Sequence, residues 1–315
     1  MRVCVVGATG TIGRAAVAAL ASRGHEVTCL VRRADADLQH RAAMIVANLQ
    51  DPSKLEEVFA GGRFDAVVSC LASRTGVPAD AWAVDHRANL NVLEAAQATG
   101  VQHFILLSAI CVQKPLLAFQ HAKLAFEAAL KASGLRWSIV RPTAFFKSLS
   151  GQIERVKAGR PFLIFGNGEL TACKPISDGD LAAYIADCLT HEDRWNRILP
   201  IGGPGDAITP RQQGEALFAM LGKPPRFRSV PLALLDGIAG ALGLFGRVIP
   251  GLAIKAELAR IGRYYASESM LVLDTETGRY DAAATPSTGS ETLFDHYRAV
   301  LEGRTVVDRG DHAVF

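Results

Sequence analysis

Residues 7–13, Gly7-Ala8-Thr9-Gly10-Thr11-Ile12-Gly13, carry three glycines at fixed spacing directly after the apolar run Val3–Val6. A loop that leaves a strand and opens a helix in this way suits a dinucleotide pyrophosphate. Gly7 permits the tight turn, Gly10 lets backbone approach the phosphates, and Gly13 lets helix pack on strand. Thr9, Thr11 and Ile12 complete the set expected to face the cofactor. The helix start adds unbonded N–H groups and partial positive charge. A second β-rich run ends in Leu30-Val31-Arg32-Arg33. An NAD site places a carboxylate here for the ribose 2′-hydroxyl, whereas arginines bind a 2′-phosphate through charge-assisted bonds. Arg32 and Arg33 therefore point to NADPH, with Arg32 the stronger candidate because it follows the strand directly. Asn48-Leu49, after the third run, are expected to flank the adenine, and Leu71-Ala72-Ser73, after the fourth, to run beneath the cofactor.

The elements that must position these residues alternate. Strands are predicted at Val3–Val6, Val27–Val31, Met44–Val46, Ala66–Cys70, Phe104–Leu107 and Trp137–Val140, separated by helical segments such as Arg14–Ser22, Ala81–Thr99 and Phe119–Ala132. Continuous Val/Ile/Leu runs imply burial on both faces and hence a parallel sheet. The expected fold is α/β: a doubly wound parallel Rossmann sheet with a smaller C-terminal substrate lobe. The expected division is a cofactor domain over 1–145 and a substrate lobe over 146–315, with 175–201 a candidate to return to the sheet. In the second half, helices are predicted at Asp178–Thr190, Thr209–Leu221 (Thr209 as cap, Pro210 first), Pro231–Leu244, Leu252–Tyr264 and Ser287–Leu301.

Composition narrows the class. Of 315 residues, 49% are hydrophobic and 21% charged, which supplies a core and argues against disorder. A formal net charge of +3 is too small for a nucleic-acid partner but suits anionic ligands. The six cysteines, Cys4, Cys29, Cys70, Cys111, Cys173 and Cys188, form no CxxC pair, and no His/Cys cluster has metal-ligand spacing. Iron–sulfur chemistry is therefore not expected. Cys4, Cys29 and Cys70 read as buried reduced thiols. The first strand begins at Met1-Arg2, so no signal or transit segment is expected. Asp236 and Arg247 interrupt the apolar stretch Leu232–Ile254, so no uncharged run reaches the about 18–20 residues a bilayer crossing needs. A cytoplasmic protein follows, with peripheral contact to a photosynthetic membrane a candidate partner for this stretch.

The glycine loop, Arg32-Arg33 and Arg141-Pro142 resemble the atypical short-chain dehydrogenases/reductases. Ordinary members carry YxxxK, with tyrosine as acid; here those positions hold Phe119 and Lys123. Phenylalanine donates no proton, so carbonyl reduction by that route is not expected. Three longer runs are similar to divinyl chlorophyllide 8-vinyl reductases. They are Ser108 to Leu117 followed by Phe119-Gln120-His121-Ala122-Lys123; Arg141 to Leu149 with Gly151-Gln152; and Ala172 to Ser177. The resemblance covers nearly the whole chain. It implies NADPH-dependent reduction of the 8-vinyl group of divinyl chlorophyllide or protochlorophyllide to ethyl. It also implies that Ser108, Lys123 and Pro142 adjoin the cofactor, with Lys123 positioning the ribose or relaying a proton. Cys111, Phe145, Phe146, Lys147 and Lys174 are then candidates to line a tetrapyrrole pocket. Two other readings stay open: an NADP(H)-binding sensor or assembly protein without chemistry, and a reductase of another conjugated alkene.

Overall fold

The structure is a computed structural model that describes residues 1–246 and 249–306. Arg247 lies outside them. The chain divides into two compact units, one of residues 1–73, 78–142 and 178–200, the other of 74–77, 143–177 and 201 onward.

The first unit follows the alternation of the sequence. In chain order it runs β1 (Arg2–Val6), α1 (Thr11–Ser22), β2 (Glu26–Val31), α2 (Ala36–Gln39), β3 (Ala43–Val46), α3 (Pro52–Gly62), β4 (Ala66–Ser69), α4 (Pro78–Ala81), α5 (Asn89–Ala98), β5 (His103–Leu107), α6 (Ala118–Ala132) and β6 (Arg136–Pro142). After α7 (Phe146–Leu149), α8 (Ile153–Lys157) and β7 (Phe162–Phe165) of the second unit, it resumes with α9 (Asp178–Asp187) and β8 (Arg197–Ile201). The sheet order is β3-β2-β1-β4-β5-β6-β8, and every neighbouring pair from β3 to β6 is parallel. Each residue of β4 and β5 is buried, as apolar strands covered on both faces must be. β3, at the edge, keeps its ends exposed. Phe59, Phe104, Phe126, Leu93 and Leu130 fill one side of the sheet. On the other, α9 packs on α1, and Arg23 Nη2 lies 2.9 Å from Asp187.

The helix expected over Ala81–Thr99 is not one regular helix. Between α4 and α5 the chain takes a π-helical turn over Trp82–Ala88. Such widened turns need partners for displaced carbonyls and cluster at functional sites. Asn89 Nδ2 donates to the carbonyls of Val84 (3.3 Å) and Asp85 (3.1 Å), and Ser69 Oγ donates to Asn89 Oδ1 at 2.5 Å.

In the second unit β7 pairs in parallel with β9 (Phe227–Val230), two short strands that sequence periodicity did not predict. α10 (Pro210–Met220) starts at its predicted cap, where Thr209 and Gln212 form a reciprocal capping box. α11 (Leu232–Gly246) and α12 (Pro250–Tyr265) pack on each other. β10 (Val272–Leu273) and β11 (Tyr280–Asp281) form a small antiparallel pair. α13 starts only at Leu293 and runs to Leu301, later than the predicted Ser287. The cause is local: Gly289 takes φ +84°, and Thr292 with Asp295 forms the capping box that opens the helix.

Candidate cofactor and catalytic site

The glycine loop sits across the carboxyl ends of β1 and β4. Gly7 has φ +75°, and a Cβ there would lie 2.5 Å from the Cys70 carbonyl. A Cβ on Gly13 would lie 2.1 Å from Gly7 O. Both glycines are therefore demanded by the chain's own packing. Gly10 is different: its added Cβ would meet nothing nearer than Gly7 O at 3.5 Å, and its φ is −73°. The fold itself does not require glycine there, so the requirement fits a ligand approaching from outside. Thr9, Gly10 and Thr11 are exposed, Ile12 and Gly13 are buried, and no side chain caps α1 at Gly10. The start of α1 thus presents backbone to solvent with its dipole unmasked, as an anion site requires.

Arg32 and Arg33 follow β2, exposed, and neither side chain bonds to another described residue. Nearby, Arg14 on the first turn of α1 grips Asp35 with two hydrogen bonds. Asn48 is exposed, its Oδ1 accepting from Gln50 N at 3.1 Å. Leu49 is buried in the core and its carbonyl accepts from Asn91 Nδ2 at 2.9 Å. Ala72 is exposed and Ser73 half-buried.

Three elements converge on Lys123. Its Nζ lies 2.9 Å from Asp85 Oδ1, with the two side chains 10% and 1% exposed. Asp85 projects from the π turn, and its Oδ2 accepts the Ser73 N–H at 3.3 Å, which ties the post-β4 loop to α6. Burial pushes the neighbouring Cys70 thiol up to about 12, against the opposing pull of the Lys123 charge. One turn along α6, Glu127 is 1% exposed and accepts from Ser108 Oγ at 2.6 Å. Arg141 completes the group, donating to Glu127 Oε1 through Nε at 3.1 Å and to Oε2 through Nη2. Pro142 follows, buried at the end of β6. Upstream, Gln120 Oε1 accepts from the N–H of Leu116 and Leu117, and its Nε2 donates to Cys111 O, pinning the 3-10 turn Ile110–Gln113 to the start of α6.

This arrangement limits the chemistry. A carbonyl substrate needs a donor at its oxygen as charge develops. Phe119 has no proton to give, and the Ser108 proton is committed to Glu127. Reduction here suits a substrate that takes up the negative charge itself.

Among the residues expected to line a pocket, Cys111 lies in the first unit, 2% exposed. Phe145, Phe146, Lys147 and Lys174 lie in the second. Phe146 is 3% exposed within that unit's core, its ring centroid 5.4 Å from His296. Phe145 is half-buried and bridges to Ile176. Lys147 is half-buried. Lys174 Nζ donates to Thr285 O at 3.0 Å and Ser287 Oγ at 3.3 Å, and its carbonyl accepts from Thr143 Oγ1.

Sequence reasoning missed Asp85, Glu127, Arg14 and Asp35. Glu127 was within reach of it, since residues four apart share a helix face and Lys123 was already singled out. Asp85 left only a faint trace, a lone acid between Val84 and His86.

The sheet order, the glycine loop and the uncapped helix start define a dinucleotide-binding α/β fold, and residues 7–192 match the family model described as NAD(P)H-binding. In shape the chain resembles an NADPH-dependent quinone oxidoreductase from Escherichia coli solved with NADPH (TM-score 0.70, 18% identity, 95% of this chain and 99% of that one). By sequence it is 49% identical to the chloroplastic divinyl chlorophyllide a 8-vinyl-reductase of Oryza sativa subsp. indica, over 99% of this chain and 82% of that protein. The Arabidopsis thaliana protein of the same name is 47% identical over 99% of this chain and 79% of its own length. The chain belongs to the divinyl chlorophyllide a 8-vinyl-reductase family.

Proposed function

We propose that this chain uses NADPH to reduce the 8-vinyl group of a divinyl chlorophyllide or protochlorophyllide to ethyl. One observation carries the reading beyond family membership: a reductase fold whose usual carbonyl-polarising groups are missing or turned away, at Phe119 and at the Ser108–Glu127 bond. The cofactor fits the residues present. Gly10 leaves room where a Cβ would meet only Gly7 O at 3.5 Å, and Arg32 and Arg33 are unpaired cations among the described residues.

NADPH supplies the hydride. The chain's own part is positioning. The backbone at Thr9–Gly13 holds the pyrophosphate at the helix start, and Arg32 and Arg33 take the 2′-phosphate. Lys123, fixed by Asp85, bonds the nicotinamide ribose. Asn48 and Leu49 flank the adenine, Ala72 and Ser73 run under the cofactor, and Ser108 and Pro142 border it. Cys111, Phe145, Phe146, Lys147 and Lys174 serve the pigment side. A vinyl group conjugated to a tetrapyrrole accepts hydride at its terminal carbon, and the macrocycle spreads the resulting charge. A proton from water or a side chain then completes the ethyl group. No oxyanion forms at a single atom, so holding the reactants in near-attack geometry is the protein's main contribution.

No described helix is long and apolar enough to cross a membrane. The exposed apolar side chains Leu234 and Ile238 of α11, Ile254 of α12 and Ile249 just before α12 support peripheral contact with the pigment-bearing membrane from the cytoplasmic side. The test is incubation of the purified chain with NADPH and divinyl protochlorophyllide or chlorophyllide. Product heavier by two hydrogens, with a blue-shifted Soret band, is the expected result. Bound NADPH with unchanged pigment would make the chain a cofactor-binding protein instead.

A further inference from the structure

An ion pair beside the nucleotide loop has no part in the mechanism above. Arg14 directly follows Gly13, so its side chain leaves the first turn of the helix whose start faces the phosphates. Its Nε donates to Thr9 O at 3.2 Å, its Nη1 to Asp35 Oδ1 at 3.1 Å, and its Nη2 to Asp35 Oδ2. Asp37 lies 3.8 Å away and is exposed. Asp35 also caps α2, its Oδ1 accepting from Leu38 N at 3.3 Å. The Arg14 hydrogen bond holds the Asp35 carboxyl below the usual range, so Asp35 is ionised at neutral pH.

Asp35 is four residues past the end of β2, the region where a Rossmann carboxylate selects a ribose 2′-hydroxyl and repels a 2′-phosphate. This chain keeps such a carboxylate beside Arg32 and Arg33. We propose that Arg14 is a specificity-determining residue: by neutralising Asp35 in a two-pronged bond, it lets a 2′-phosphate settle against Arg32 and Arg33. The inference rests on the NADPH reading. Without Arg14, Asp35 would face the phosphate uncompensated and take one of the two arginines for itself. The fork geometry explains why an arginine serves here, since a lysine makes no bidentate bond to a carboxylate.

Binding constants for NADPH and NADH by fluorescence titration test this in the full chain, for the wild type, Arg14→Met, Asp35→Asn and the double variant. Methionine keeps the aliphatic stem, and asparagine keeps an oxygen for the Leu38 N–H, so α2 retains its cap. Arg14→Met should weaken NADPH by about tenfold to a hundredfold, the worth of one charge-assisted bond, and NADH by less than about threefold. Asp35→Asn alone should leave NADPH binding nearly unchanged. The double variant should recover most of the NADPH affinity, because the charge that Arg14 masks is gone. Equal losses for both cofactors in Arg14→Met, or a double variant no better than Arg14→Met, would overturn the proposal. A wild type that prefers NADH would instead sink the NADPH reading on which it stands.

Discussion

Removing the Lys123 ammonium should be costly to both stability and turnover. Asp85 is 1% exposed, and its Oδ1 lies 2.9 Å from Lys123 Nζ. Lys123→Met keeps an apolar stem but leaves a buried carboxylate with one N–H partner, Ser73, at 3.3 Å. Breaking one side of a buried ion pair costs about 3–5 kcal/mol, because the remaining charge is stranded without solvent. Asp85→Asn strands the ammonium in the same way, though its amide oxygen can still accept from Ser73. Lys123→Met with Asp85→Asn leaves no charge stranded, so the double variant should be more stable than Lys123→Met alone. Urea unfolding followed by tryptophan fluorescence reads the right part of the chain, since Trp82, Trp137 and Trp195 all lie in the first unit. Alongside it, Lys123→Met should lower turnover at saturating pigment. A single-variant loss under about 1 kcal/mol, the range of exposed pairs, or a double variant whose losses simply add, would refute the reasoning.

Gly10→Ala should leave the melting temperature nearly unchanged while weakening NADPH binding. Gly13→Ala should destabilise the fold outright, because its Cβ would lie 2.1 Å from Gly7 O; equal melting temperatures for the two variants would contradict this. Ser108→Ala should retain vinyl reduction within a few-fold, and a near-complete loss of turnover with folding intact would show that the hydroxyl does chemistry. Burial, with the Arg136 charge adding to it, lowers the His103 imidazole from 6.5 to about 4. Below pH 6.5 the unfolded chain therefore takes up a proton that the folded chain refuses until about pH 4. The His103 contribution is full above 6.5 and shrinks as the pH falls, by about 2 kcal/mol between pH 7 and pH 5. Urea midpoints across that range should show His103→Gln with a shallower loss than wild type, and identical slopes would count against the buried neutral histidine.

Much of the first unit was readable from residue order. Apolar runs of strand length alternating with helical periodicity yield a parallel sheet because no other layer buries both faces of each strand. The glycine loop was readable because its three glycines meet different local demands, and two of those demands are visible as contacts at Gly7 and Gly13. The second unit was less readable. β7 and β9 are four residues each, and they exist because they pair with each other across a long chain separation, which periodicity over a short window does not register. The late start of α13 came from a capping choice at Thr292 that competes with several polar residues upstream.

By itself the sequence determined the sheet, the loop that faces a dinucleotide, and the loss of a phenol at Phe119. Those follow from local physics: side-chain periodicity, backbone freedom at glycine, and the absence of an acidic proton on a benzyl ring. Tertiary structure alone decided which charges meet. Lys123 met Asp85 only because a π-helical turn aims the carboxylate at α6, and Ser108 donates its hydrogen bond to Glu127 only because the fold brings the residue after β5 against α6. A buried charge takes its partner from whatever the fold brings within about 3 Å, and that proximity is not written in the spacing of residues along the chain.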